Sequence, residues 1–317
     1  MARGDDMPLW GFLLSFVVAV MWAASPIMVA RGMVLSKCTS NEINPIRSIS
    51  FFLFTLAVAL IYTKGSIPLV SSPKALLYIA GNVLLGYLIG DILYFIAIRK
   101  IGISLAVPVS NAYPILVVVT SWLMLGEPIT LQIVSGIVIV ISGLLLLRFG
   151  GDRQDMDKDG LIPKEIGLSN LMKGFLFAIG AGLCWAVGAP LTKMAMETSG
   201  LGPVEITFYR ASALLIMAWS YRFFLVKYRP GSIMPLRSIS LKAWLYILAA
   251  AVIGLALGSI LYTTCINVMP VAVVTAITST SPFIAALFGH FVLKEKLSRL
   301  QWAGVVMIIS GSVTVSL

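Results

Sequence analysis

Asp91 lies in GYLIGDILY (Gly86 to Tyr94), a run otherwise apolar enough for the inside of a lipid bilayer. Hydrocarbon cannot solvate a carboxylate, so Asp91 must pair with a cation, carry a proton, or meet a cationic group on a bound molecule. Two arginines stand in comparable surroundings, Arg47 ending EINPIR (from Glu42) and Arg210 ending EITFYR (from Glu205). Each guanidinium can snorkel to the headgroups and pair with the glutamate five residues before it. Alternatively it faces the interior, as a gate contact or an anchor for a carboxylate. Ser110 and Asn111 precede Pro114, and Thr278 and Ser279 precede Pro282. A proline inside a helix removes one backbone hydrogen bond and frees a carbonyl that lipid cannot satisfy. The neighbouring hydroxyls and amide can satisfy that carbonyl, or they can line a polar cavity.

Other chemistries find little support. His290 is the single histidine, which removes most metal-site and Ser-His-Asp arrangements. Beside Lys294 and Glu295 it reads as a boundary residue. Cys38, Cys184 and Cys265 lack CxxC spacing and give neither a disulfide framework nor a zinc site. There is no HExxH and no phosphate-binding P-loop, and no cofactor or metal is implied. Glu127 and Glu295 sit in turns and read as structural, and Ser298-x-x-Gln301 predicts a capping box opening the last helix. Trp22 and Trp185 fall mid-span, away from the interfaces where tryptophan gathers, and read as packing residues or as the wall of a cavity.

These residues need a membrane-embedded frame. Hydrophobic residues make up 59% of the 317 and charged residues only 11%, where a soluble domain averages about a quarter charged. Lipid must therefore be the solvent for most of the chain, which predicts a multi-pass protein of the cell membrane. The net charge of +10 is spread over short connecting segments. It suits topology and anionic headgroups rather than nucleic acid. Apolar segments of roughly 20 residues, each enough for one crossing, fall at 9–31, 44–62, 75–98, 103–125 and 130–148. A second set falls at 172–195, 204–226, 242–266, 271–292 and 300–316. The first is too long for a signal-peptide core and reads as a mature span. The one long polar stretch lies between the two sets.

The halves repeat. Trp22 matches Trp185, and EINPIR matches EITFYR, both 163 residues apart. GYLIGDILY then matches GLALGSILY (Gly254 to Tyr262) at 168 residues, aligning Tyr94 with Tyr262 and Pro114 with Pro282. The same offset pairs Glu127 with Glu295, Gly136 with Gly304, and Gly143 with Gly311. Such glycines suit close helix packing. Five spans per half is an odd number, so the second half must enter the membrane inverted. The predicted fold is therefore all-α, with ten transmembrane helices in two inverted five-helix repeats. The repeats cover 1–149 and 171–317, joined by a polar linker at 150–170.

On these features the chain resembles the drug/metabolite transporter superfamily, in its ten-span EamA-type branch. The features are the duplicated Trp, Arg, Gly-x-x-x-Gly-x-x-x-Tyr and Pro, and the GEPIT (Gly126 to Thr130) and KEKLS (Lys294 to Ser298) turns. The resemblance implies a secondary transporter of small metabolites such as amino acids or related compounds, generally an exporter, with a cavity between the halves. Candidate pathway residues are Trp22, Arg47, Asp91, Tyr94, Ser110, Asn111, Pro114, Trp185, Arg210, Tyr262, Thr278, Ser279 and Pro282. Asp91 is also the candidate for proton coupling, an ion pair with Arg47 being its other reading. Its repeat counterpart is Ser259, so the acid belongs to the first half alone. The expected partners are a small-molecule substrate, the bilayer and, through Asp91, protons; nothing in the sequence speaks to oligomeric state. A membrane-embedded enzyme or lipid-handling protein is the rival reading. Orientation has two answers: most loop Lys and Arg lie on the side away from the termini, favouring termini outside. The family resemblance implies termini inside, and accessibility of a tag after Leu317 distinguishes the two.

Overall fold

A computed structural model describes residues 8–102, 106, 109–110, 113–149, 168–229, 231, 233–281, 283–284 and 298–316. Asn111, Pro282, His290, Glu295 and the segment 150–167 lie outside the described residues. Those described form ten principal helices and no strand. They are α1 (Leu9–Ser36), α2 (Ser40–Tyr62), α3 (Pro73–Ile101), α4 (Pro114–Leu125) and α5 (Leu131–Phe149). The second half gives α6 (Leu168–Ser199), α7 (Pro203–Tyr228), α8 (Leu241–Val268), α9 (Val271–Thr278) and α10 (Arg299–Ser316). Five of them, α1, α2, α3, α6 and α8, are by themselves long and apolar enough to cross a membrane. α1 and α6 run to 28 and 32 residues, longer than the spans expected from hydropathy and longer than the ~20 residues that one crossing needs.

Local chemistry sets the helix starts. Thr39 and Glu42 form a capping box at α2, satisfying two backbone donors that have no partner within the helix. Ser72 caps α3 ahead of Pro73, and Ser240 caps α8 through Ala243 N at 3.3 Å. The expected box at α10 is present: Gln301 N donates to Ser298 Oγ at 3.2 Å, and Ser298 N donates to Gln301 Oε1 at 2.9 Å. Gly126 ends α4 with φ +68°, a left-handed conformation that favours glycine.

The halves interlock rather than sit side by side. α1 packs on α8 and α9, α6 packs on α3 and α4, α2 packs on α7, and α5 packs on α10. A Cβ added at Gly136 would lie 2.8 Å from the Gly311 oxygen, and one at Gly143 would lie 2.7 Å from the Gly304 oxygen. Residue numbers rise along α5 as they fall along α10, so these repeat-equivalent helices run antiparallel. Antiparallel equivalent helices are what an inverted duplication requires. Large apolar side chains such as Leu13, Val17, Leu53, Leu176, Ile216 and Val306 face outward. Arg47, Asp91, Glu205 and Arg210 are buried. This inside-out distribution fits a chain solvated by lipid.

Candidate functional site

The Gly-x-x-x-Gly-x-x-x-Tyr motifs lie where α3 and α8 change pitch. Val83–Gly90 and Ala251–Leu257 are π-helical stretches inside otherwise α-helical spans. The wider turn opens backbone carbonyls to side-chain donors. Trp185 Nε1 donates to Gly86 O at 3.1 Å, and Trp22 Nε1 donates to Gly254 O at 3.0 Å. The second glycine of each motif makes room for the indole. A Cβ on Gly90 would come within 2.9 Å of Trp185 Nε1, and one on Gly258 within 2.7 Å of Trp22 Nε1. The tyrosine then closes on the ring, Tyr94 at 5.2 Å from Trp185 and Tyr262 at 5.1 Å from Trp22, centroid to centroid. Each motif is thus a receptor for the tryptophan of the opposite half. Both parts are visible in the sequence, but not that they meet, because the partners lie 99 and 232 residues apart.

Two arginine centres flank this clasp. Arg47 Nη1 donates to Asp91 Oδ2 at 2.8 Å, joining α2 to α3, and its guanidinium lies 5.2 Å from the Phe95 ring centre. Arg210 on α7 donates through Nε to Asn82 Oδ1 at 2.8 Å, through Nη1 to Thr263 Oγ1 at 2.9 Å, and through Nη2 to the Tyr87 hydroxyl. Tyr87 also shares a hydrogen bond of 2.8 Å with Ser259. Asn82 donates in turn to Gly188 O on α6 at 2.7 Å. Arg210 therefore sits in a neutral network spanning α3, α7 and α8, with Asn82 linking it onward to α6.

Of the two readings of the arginines, snorkelling with pairing to the preceding glutamates is not what the structure shows, whereas the ion pair read for Asp91 with Arg47 is present. Both arginines are buried, and Glu42 is occupied elsewhere: it accepts from Thr39 N at 2.7 Å and from Met234 N at 2.8 Å. Glu205 Oε2 is buried without a partner among the described residues. Helix geometry explains the difference, since residues five apart point away from each other, unlike those three or four apart.

The candidate hydroxyls turn inward. Ser110 Oγ donates to Ala106 O at 2.9 Å, Thr278 Oγ1 to Thr275 O at 3.2 Å, and Ser279 Oγ to Ala276 O at 2.8 Å. All three are buried, as is Pro114 at the start of α4. Tyr262 shares its hydroxyl with Thr275 Oγ1 at 3.0 Å. Of the sequence-derived candidates, the structure gathers the tryptophans, tyrosines, arginines and Asp91 along α1, α2, α3, α6, α7 and α8. Ser110, Thr278 and Ser279 instead bond back to their own helices.

Two polar straps tie the halves at opposite edges. Glu127, in the α4–α5 turn, accepts from Lys193 Nζ at 2.9 Å and from Val271 N at 3.0 Å. Its carboxylate thereby joins α6 and sits on the first free N–H of α9, a favourable place for an anion. At the other edge Glu42 takes Met234 N, while Arg222 Nη2 donates to Met234 O at 3.1 Å. Glu127 was legible as a turn residue, but its reach across the halves was not.

This arrangement has close company among known proteins. The chain matches the EamA-like transporter family over residues 9–149 and 172–317. It belongs to that family. Within the drug/metabolite transporter superfamily, it is similar to an uncharacterized transporter of Archaeoglobus fulgidus, 26% identical over 94% of each chain. The uncharacterized inner membrane transporter YhbE of Escherichia coli is 30% identical, over 44% of this chain and 41% of its own. A solved crystal structure 15% identical to the chain superposes over 97% of this chain and 98% of its own with a TM-score of 0.71, which shows the shared fold. This EamA-like chain is accordingly a multi-pass protein of the cell membrane.

Proposed function

We propose that the chain is a secondary carrier that moves a small metabolite by alternating access, its two halves rocking about a site bounded by α2, α3, α7 and α8. The observation that carries this reading is the reciprocal clasp. Each half's tryptophan holds the π-helical break in the other half's third helix, beside a buried arginine. π-Helical turns inside membrane helices at the junction of inverted repeats suit a carrier site, because they are frequent at functional sites and open backbone carbonyls beside buried polar side chains. The straps at Glu127 and at Glu42 lie where two gates are needed, one at each edge. With no P-loop in the sequence, the driving force is a gradient of solute or ion.

The purified chain in proteoliposomes, challenged with a metabolite panel, should give saturable counterflow of at least one solute. Locking the halves with a cysteine pair across the Glu127–Lys193 strap should stop that flux, and reduction should restore it. Export is the direction the family resemblance implies, and efflux from preloaded vesicles tests it. Absence of counterflow for every solute, in vesicles shown to contain folded protein, would overturn the carrier reading in favour of an enzyme or lipid-handling role.

A further inference from the structure

Glu42 and Glu205 are equivalent in the repeat, each in the first turn of its helix, yet their carboxylates are used differently. Glu42 accepts from Thr39 N at 2.7 Å at its own helix start, and from Met234 N at 2.8 Å in the loop between α7 and α8 of the other half. Glu205 is 8% exposed, and its Oε2 is buried without a partner among the described residues. A buried acceptor with no donor carries its full desolvation cost. Gly202 stands where the first half has Thr39, and a Cβ there would meet Glu205 Oε2 at 2.8 Å. The Glu205 carboxylate is therefore folded over its helix start, as that of Glu42 is.

The donor that would complete it lies close by. Glu42 reaches the loop before the third helix of the opposite half, and the counterpart of that loop is the segment 63–72 between α2 and α3. This segment already rests on α7: Tyr209 Oη donates to Pro68 O at 2.8 Å, and Val70, Leu201 and Tyr209 pack against one apolar cluster. Tyr209 is four residues beyond Glu205, on the same helix face. At the Glu42 edge the loop gives Met234 N to Glu42 and Met234 O to Arg222. At the Glu127 edge the loop gives a carbonyl to Tyr209, and Glu205 lacks the matching N–H. The two repeat offsets carry Met234 onto residues 71 and 66. Ser66 N is committed to Thr63 O at 3.1 Å and Pro68 has no N–H, which leaves Ile67, Leu69, Val70 and Ser71. Rocking the halves of an inverted repeat exchanges the roles of the two edges. We propose that Glu205 is a second latch of the Glu127 edge: in the opposite-facing state it accepts a backbone N–H of residues 67–71, while Glu42 releases Met234. One of the two glutamates then holds a loop of the other half in each state. The inference rests on the carrier reading, which supplies the two states, and it is tested by distances rather than by flux.

Spin labels are placed on the full chain in lipid nanodiscs, with Cys38, Cys184 and Cys265 replaced by serine. Leu69→Cys with Thr198→Cys spans the Glu127 edge, and Arg237→Cys with Leu35→Cys is the repeat-equivalent pair at the Glu42 edge; all four positions are exposed. Glu42→Met should enrich the short distance of the first pair at least about fivefold and deplete that of the second. Adding Glu205→Met should cancel the enrichment, whereas Glu205→Gln, which keeps an acceptor oxygen, should retain part of it. Glu205→Met alone should melt no lower than the parent, since it removes an acceptor that has no donor. Met234→Pro deletes the Glu42 bond from the loop side and carries the decision should Glu42→Met fail to fold. No enrichment from either variant, or enrichment that survives Glu205→Met in full, would overturn the latch. Distances that alternate as expected without counterflow of any solute would sink the carrier reading and leave the latch standing. Counterflow with distances insensitive to Glu205→Met would do the reverse.

Discussion

Asp91 and Arg47 answer for one another. Removing one partner of a buried pair leaves the other charge uncompensated, which costs about 3–5 kcal/mol, whereas replacing both with apolar groups is often neutral. Asp91→Asn should therefore lower the melting temperature markedly, and Arg47→Met combined with Asp91→Leu should recover most of the loss in the same thermal assay. Transport as a function of pH adds the second reading: a proton-linked carboxylate loses its pH dependence in Asp91→Asn, whereas a purely structural pair keeps the profile. Gly90 and Gly258 pose a steric case of equal sharpness. Alanine at either brings a methyl carbon within 2.9 Å of Trp185 Nε1 or 2.7 Å of Trp22 Nε1, and overpacking of this kind costs about 1–3 kcal/mol. Each single alanine should destabilise the chain by that order. Trp22→Phe in the Gly258→Ala background should cost less than the two separate effects combined, since both act on one contact.

The third helix of each half, α3 or α8, is one long span with a π-helical interior, and that interior is where the opposite half takes hold. A break in a membrane helix persists only when its freed backbone groups find partners. The indole donors supply them here; on α6, Thr120 does the same, its hydroxyl donating at 2.6 Å to Ala186 O, the carbonyl that Pro190 leaves without its helical donor. The short strap through Glu127 works from the edge, holding α6 and α9. Glu127→Gln removes an ion pair and weakens the cap on α9, shifting the balance toward opening at that edge. The expected outcome is faster labelling of Met269→Cys by an impermeant maleimide, by roughly tenfold for each 1.4 kcal/mol lost. The measurement uses a background with Cys38, Cys184 and Cys265 replaced by serine. Unchanged labelling would mean that the strap does not gate this edge.

For the molecule as a whole, interlocking means that neither half has a complete surface of its own. α2 rests on α7, α5 on α10, α1 on α8 and α6 on α3, so each half meets its packing partners chiefly in the other. Two chains ending and starting at residues 158 and 159, expressed together, should co-purify and melt as one unit. Either expressed alone should be degraded or aggregate, because helices built to pack on their inverted counterparts would expose small-residue faces to lipid. Stable, separately folded halves would contradict the interlocked arrangement.

Much of this architecture was readable in the chain itself. Hydropathy marked the spans, because lipid imposes length and apolarity on any crossing segment. The matched offsets from Trp22 to Trp185 and from Gly86 to Gly254 revealed the duplication, and five spans per half dictated its inversion. Capping chemistry at Ser298 and Gln301 is local, and the sequence pattern was enough to place it. Partnership was not legible. Arg47 and Arg210 look alike in sequence, as do their neighbouring glutamates; the pattern offered local pairing or an interior place for both, and an ion pair with Asp91 for Arg47, without deciding among them. Tertiary structure gave one arginine an aspartate 44 residues away and the other a set of neutral partners up to 128 away. It also turned Ser110, Thr278 and Ser279 back onto their own helices. The physical reason is one of range. Burial and helix formation depend on the local run of side chains, whereas the neutralisation of a buried charge depends on which distant helix is brought against it.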